Sequence, residues 1–403
     1  MKILSIVPFP PRLDATHGGG KATANLLLKL AERHPLALVH LRSPHEPPAD
    51  PALLTSCDFV EEIRATEPDT RFLRRRLRKI LLLARGNPLW AIDVDAATLA
   101  PTVAEVAARW SPDVVQIEFA VALDAAWLLP STIPLVLVDH EPGVARAEGE
   151  LTAEDLTTGA RLLLRADLRA WRRFEQRALE QATAIVVFTD RDRDILARTA
   201  PKAAIHVIPL GISIPAVPLD AVGAEQAVVF VGSFVHPPNV DAALHLVRDI
   251  LPRVRRRHPG VRTYIVGDRP PPELLALAED DVVVTGWVES VEPYLDGAAV
   301  VVAPLHQGGG MRVKVLEALA AGKALVATPL AIAGLDVTNG KELLIACAAD
   351  TFADAVSSLL ANPEQRAVLA RNATAWAHGR ADWETVARSY ERLYASILSS
   401  SRA

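Results

Sequence analysis

The sequence predicts an α/β chain of two doubly wound domains of about equal size. Three observations predict it. Short β-branched apolar runs alternate with helical patterns almost from end to end, as in open parallel sheets covered by helices on both faces. The 403 residues are too many for one ordinary core, and half of them are hydrophobic, enough for two. Between two such alternating sets, residues 213–226 are rich in proline and small side chains and lack periodicity, as expected of a linker. The expected organisation is a first domain over residues 1–212, the linker 213–226, a second domain over 227–380 and a closing helix within 381–403.

Residues 2–7 are the expected first strand, because the apolar run is cut by Pro8 and is too short for a signal segment. A long loop runs to Gly20, and an amphipathic helix is expected from Lys21 to Arg33. Further strands are expected at 36–41, 114–118, 135–139, 184–188 and 205–208, with a long charged helix at 161–180. In the second domain strands are expected at 227–232, 262–266, 282–285, 299–303 and 324–327. Helices fall near 240–257, 273–277, 312–321 and 351–361, and helices at 363–378 and 382–398 close the chain. No run of 18 apolar residues occurs, so no membrane span is expected. A net charge of -5 argues against a nucleic-acid protein. Cys57 and Cys347 match no metal or redox spacing, and both are expected to be small core fillers in a reducing cytoplasm.

Open sheets of this kind bind ligands beyond the carboxyl ends of their strands, so the loops there are where chemistry is sought. Residues 299–322 are the most informative. A buried strand is ended by Pro304, then Gly308, Gly309 and Gly310 let the backbone turn, and a helix expected over 311–321 stops at Gly322. Amides at such a helix start suit a diphosphate, and Lys314 can add a full charge. Glu317 lies on the same face and can accept two hydrogen bonds from a vicinal diol such as ribose. The plain alternative is a connecting loop with a surface Lys314–Glu317 pair. His17-Gly18-Gly19-Gly20-Lys21 follows the first strand, either as a backbone surface for a ligand or as a flexible loop. His140, in Val138-Asp139-His140-Glu141, can contact a sugar hydroxyl or share a developing charge; the alternative is a histidine satisfied by backbone. Glu118, after Gln116, is a weaker case of the same kind. Gly232 and Ser233 end a strand, and Asn239 serves either a ligand or as the N-cap of the next helix. Gly267, and Trp287 with Val288 after Gly286, sit in loops that can hold a planar base.

Residues 71–85 interleave Arg71, Arg74, Arg75, Arg78 and Arg85 with Leu73, Leu77, Ile80 and Leu81. That pattern fits a membrane-surface or polyanion contact, or equally a solvated charged helix over an apolar core. No Ser-His-Asp order, HExxH or metal-ligand cluster occurs, Lys314 lies too late for a Walker A loop, and the absence of GxGxxG makes a nicotinamide enzyme a poor fit.

Over nearly its whole length the chain resembles the GT-B glycosyltransferases of retaining family 4 (group 1). The resemblance rests on the glycine loop after strand one, Pro209-Leu210-Gly211-Ile212-Ser213, Phe230-Val231-Gly232-Ser233, Pro238-Asn239-Val240-Asp241-Ala242 and Leu316-Glu317-Ala318-Leu319-Ala320-Ala321-Gly322, in the family's order. With Lys314 and Val315, the pattern is similar to a branch linked to bacterial exopolysaccharide and cell-surface glycan assembly. The resemblance implies an α/β GT-B fold: two Rossmann-like domains facing across a cleft, with a C-terminal helix, anchored by Trp383, crossing back to the N-terminal domain. It implies a nucleotide-diphosphosugar co-substrate, no metal or other cofactor, and a glycan or lipid-linked acceptor held by the first domain. It places the donor near Gly18, Gly19, Gly20, Lys21, Gly232, Ser233, Asn239, Gly267, Trp287, Val288, Gly308, Gly309, Gly310, Met311 and Glu317, with Glu317 on the ribose. His140, Lys314 and Arg312 are the candidate catalytic groups.

The sequence departs from the family twice. Gly309 stands where the first glutamate of a pair is usual, and Ser233 and His236 stand where Arg and Lys are usual after Phe-Val-Gly. Amides of Gly309, Gly310 and Met311, with the cations of Arg312 and Lys314, are expected to take over. Two rival readings follow: a nucleotide-sugar-binding scaffold or regulator without catalysis, and a GT-B sugar-nucleotide epimerase. The expected location is cytoplasmic, at the inner face of the cell membrane through residues 71–85, with no nucleic-acid partner.

Overall fold

The computed structural model describes residues 1–15, 18–65, 72–92, 96–151, 156–216, 219, 225–307 and 313–400. The chain divides into two compact units, one of Met1–Gly211 with Val386–Ala403, the other of Ile212–Gly308 with Arg312–Thr385.

Among the described residues the first unit holds a seven-stranded parallel sheet: β1 (Ile3–Val7), β2 (Leu36–Arg42), β3 (Phe59–Arg64), β4 (Val114–Glu118), β5 (Leu135–Val138), β6 (Ala184–Val187) and β7 (Ile205–Val207). Their order is β3-β2-β1-β4-β5-β6-β7, so the winding reverses between β1 and β4. Every residue of β1, β4, β5 and β6 is buried, which is why these strands are mainly apolar rather than alternating, with Ser5, Gln116 and Glu118 as buried polar exceptions. Strand β3 is absent from the sequence expectation. It is a half-buried edge strand whose Glu61 and Glu62 break the apolar pattern, and Arg42 of β2 holds Glu62 at 3.1 Å. The core joins Ile6, Val39, Ile117 and Leu137 to Trp171 and Phe174 of the long helix Thr158–Gln181. The side chain of Thr157 caps that helix by accepting from Ala160 N at 3.2 Å.

From Val386 onward the C-terminal helix Trp383–Ser400 belongs to the first unit. Arg33 Nε lies 2.6 Å from Glu391, and Tyr390 and Tyr394 are fully buried. Trp383 is buried as well.

The second unit holds β8 (Glu225–Val231), β9 (Arg262–Val266), β10 (Val282–Gly286), β11 (Ala298–Ala303), β12 (Leu325–Ala327) and β13 (Leu344–Ile345), all parallel. Their order is β10-β9-β8-β11-β12-β13, with the reversal between β8 and β11. Strand β8 begins at Glu225, inside the stretch expected to be linker. The helix expected over 240–257 starts at Pro237 and is interrupted by a π-helical turn at Leu246–Ile250. Pro252 has no N–H to continue the regular ladder, which accounts for the break. Cys347 is exposed, not a core filler, because it lies in the turn after edge strand β13. Among the described residues, no helix is long and apolar enough to cross a membrane.

Candidate functional site

In each unit the polar groups gather where the winding reverses, and each cluster is built by its own sheet. In the first unit the helix Gly18–Ala31 follows β1. Gly18, Gly19 and Gly20 form its first turn instead of a loop before a helix at Lys21. A close approach requires glycine at the middle position: a Cβ on Gly19 would lie 2.6 Å from Cζ of Phe119 and 3.5 Å from Nδ1 of His140. Lys21 is exposed, and His17 lies outside the described residues.

Phe119 follows β4 with φ +67°, a conformation that costs a non-glycine residue on the order of 1–3 kcal/mol. That backbone turns its ring flat onto the imidazole of His140, with centroids 3.9 Å apart and planes 8° apart. Phe188 meets the same imidazole edge-on at 5.0 Å. His140, just past β5, is only 4% exposed. Its Nε2 lies 2.6 Å from Oε2 of Glu118, and its Nδ1 is buried with no hydrogen-bond partner among the described residues. The group that satisfies the histidine is thus a buried carboxylate, not backbone.

Glu118, which the sequence ranks low, is 1% exposed and takes further hydrogen bonds from Gln116 Nε2 and, at 3.4 Å, from Thr23 Oγ1. The available signal was Gln116 and Glu118 at alternate positions of an otherwise apolar buried strand, hence on one face of it. Behind this pair lie more buried acids. Burial pushes the carboxyl of Asp139 well above its usual range, with Glu175 adding repulsion. Burial also raises Glu175 to about 7, although Val144 N donates to it at 2.8 Å. Glu175 thereby caps the helix Gly143–Glu150. Gly143 there has no alternative residue type, since a Cβ would lie 2.2 Å from the ring of Trp171.

In the second unit Gly232 and Ser233 follow β8. The helix Pro237–His245 is entered through His236, so Asn239 is its third residue and not its N-cap. The Asn239 side chain instead donates from Nδ2 to the carbonyl of Ser233 at 2.7 Å and accepts from Nζ of Lys314. Lys314, on the helix Val313–Ala320 after β11, also stands 4.8 Å from the ring centroid of Phe230. A Cβ on Gly232 would lie 3.2 Å from this ammonium and 3.0 Å from Asn239 Cγ. Gly267 closes against the same loop, where a Cβ would fall 1.9 Å from the carbonyl oxygen of Gly232. Lys314 and Glu317 line a small pocket with Val231, Val302, Ala303 and Leu325. The structure therefore brings together Gly232, Ser233, Asn239, Gly267, Lys314 and Glu317. Trp287, 74% exposed, and half-buried Val288 stand apart, past the edge strand β10, two strands from β8. Gly308, Gly309, Gly310, Met311 and Arg312 lie outside the described residues.

Two wholly parallel, doubly wound sheets, each with charged groups at its reversal point, define the GT-B class. Solved structures agree on the frame. Sucrose-phosphate synthase from Thermosynechococcus elongatus is 17% identical, with a TM-score of 0.71 over 99% of this chain and 100% of that one. HepE from Anabaena, in complex with UDP and glucose, is 16% identical at a TM-score of 0.65, over 98% and 100%. A glycosyltransferase from Rickettsia africae is 12% identical at 0.63, covering 98% of each chain. At such identities the likeness speaks for the fold. The sequence itself matches the Glycosyltransferase Family 4 model over residues 16–214 and the model of glycosyl transferases group 1 over residues 225–362. The chain belongs to the glycosyltransferases. A comparison with curated proteins found no match.

Proposed function

We propose that this protein transfers a sugar, with retention of configuration, from a nucleoside-diphosphate sugar to a hydroxyl of a glycan or lipid-linked acceptor. The observation that carries the reading is the Asn239–Lys314 pair beside Glu317 at the β8–β11 reversal, where an open sheet takes its ligand. Glu317 accepts from the ribose diol, and Lys314, held by Asn239, faces the diphosphate. The bond from the anomeric carbon to the diphosphate oxygen breaks first, and its electron pair goes to the diphosphate. The fixed cation stabilises that charge better than water does, because its orientation is set before reaction. The acceptor oxygen then attacks from the same face, and its proton passes to the departing phosphate. His140 holds a hydroxyl through Nδ1. The complex of HepE with UDP and glucose supports a nucleotide-sugar donor for a chain of the same fold.

A lipid-linked acceptor at the inner membrane face is supported by the helix Phe72–Ala84. It leaves Leu77, Ile80 and Leu81 more than half exposed on one face, opposite to the arrangement of a charged helix lying on an apolar core.

The test is a thermal-shift titration with a panel of nucleotide sugars on wild type and Glu317→Ala. The variant is expected to bind roughly tenfold or more weakly, as for a lost charge-assisted hydrogen bond, and equal affinity refutes the ribose role. Binding without turnover across donors and acceptors would favour the scaffold reading, and donor interconversion without acceptor would favour the epimerase.

A further inference from the structure

A buried chain of hydrogen bonds runs from the C-terminal helix to the site histidine, entirely within the first unit. The hydroxyl of Tyr394 donates to Oε1 of Gln116, Nε2 of Gln116 donates to Oε1 of Glu118, and Oε2 of Glu118 meets Nε2 of His140 at 2.6 Å. None of the four residues is more than 4% exposed. The direction of every link is set by chemistry. A carboxylate only accepts, so the amide must turn its NH2 toward Glu118 and its carbonyl toward Tyr394. The reverse orientation would set two acceptor oxygens against each other. Tyr394 can fill the donor role because burial, reinforced by the charge of Glu118, keeps its phenol neutral.

We propose that Glu118 is a positioning residue, held by Gln116 and Tyr394, that fixes His140 in the Nε2–H tautomer and so offers a bare Nδ1 lone pair to a substrate hydroxyl. Of the two ring nitrogens of His140, Nδ1 has no partner among the described residues, and it faces the first turn of the Gly18–Ala31 helix at Gly19. Helix-start amides carry partial positive charge, so that surrounding suits a lone pair better than a second N–H. The stacked ring of Phe119 and the edge of Phe188 hold the imidazole plane, and the carboxylate sets which nitrogen bears the proton. The consequence is an acceptor in place before any ligand arrives, tied to a residue 278 positions from Gln116 in sequence. The substrate role of Nδ1 rests on the transfer reading above; the tautomer and its cause do not.

The experiment is nitrogen NMR of histidine-labelled protein without ligand, the His140 signals being identified by their loss in His140→Gln. The wild type is expected to show Nε2 protonated and Nδ1 bare. Glu118→Gln, nearly equal in size, can donate as well as accept, so the Nδ1–H form should appear in a sizeable fraction. Tyr394→Phe, which removes one hydroxyl, frees the Gln116 amide to turn and should give a smaller change of the same sense. A wild-type His140 protonated at Nδ1, or Glu118→Gln and Tyr394→Phe both matching wild type, would overturn the proposal. Transfer assays then separate the two readings. If the tautomer is as stated and Glu118→Gln lowers kcat roughly tenfold or more at unchanged KM for the nucleotide sugar, positioning for the reaction is supported. The expected tautomer with unchanged kcat upholds the relay and removes His140 from catalysis.

Discussion

Glu175→Gln should flatten the dependence of stability on pH. The carboxyl of Glu175 is 1% exposed, and its burial moves the folded-state pKa from the ordinary 4.5 to about 7. Between those values the folded protein keeps a proton that the unfolded chain has released. The unfolded state then binds fewer protons, so stability falls as pH rises through this window and levels off above about 7. A gap of about 2.5 pH units at about 1.4 kcal/mol each makes the ionised carboxylate cost about 3 kcal/mol near pH 8. For a unit of this size that corresponds to roughly 6–12 °C in Tm. Glutamine removes the titration yet keeps a carbonyl to accept from Val144 N, so the cap of the Gly143–Glu150 helix survives. Asp139 and Glu141 also have raised values and act with the same sign, so the wild type falls more steeply than Glu175 alone requires. The difference between variant and wild type reads the Glu175 titration together with its repulsion of Asp139. Thermal unfolding from pH 5 to pH 8 should show the variant gaining on the wild type across the window. Parallel curves would refute the reasoning.

Gly267→Ala drives a Cβ to 1.9 Å from the Gly232 carbonyl, so the β8 and β9 loops must part. A loss of about 1–3 kcal/mol is expected by denaturant unfolding, with nucleotide affinity falling as well. Lys314→Met should lower kcat by roughly a hundredfold while leaving free-nucleoside affinity nearly unchanged, as for a lost electrostatic group; equal losses in both would place Lys314 in ground-state binding. Replacing Leu77, Ile80 and Leu81 together by serine removes the exposed apolar face of the Phe72–Ala84 helix and should abolish flotation with anionic liposomes.

Much of the frame was legible in the residues. The runs at β5, β6 and β11 are continuous and apolar because both faces of those strands are covered, a condition that local composition records. Edge strands carry no such mark. Phe59–Arg64 is half-buried on both faces and uses Glu62 to pair with Arg42, so its pattern resembles a loop. The first helix starts earlier than propensity suggests: glycine is a poor helix former, yet Gly18–Gly20 form its first turn, and Gly19 is required there because the ring of Phe119 leaves no room for a Cβ.

By itself the sequence determined the class of fold, the positions of the loops at the carboxyl ends of the strands, and the family to which those loops belong. These follow from hydrophobic periodicity and short contiguous motifs, which are local. Tertiary structure alone decided what each polar group in those loops does. Asn239 looks like a cap in one dimension and is a bridge between Ser233 and Lys314 in three. His140 looks like a lone loop histidine and is bound to Glu118, which Gln116 and, behind it, Tyr394 hold in turn. A buried hydrogen bond depends on distance and direction between atoms far apart in the chain, and no local pattern of residues encodes either.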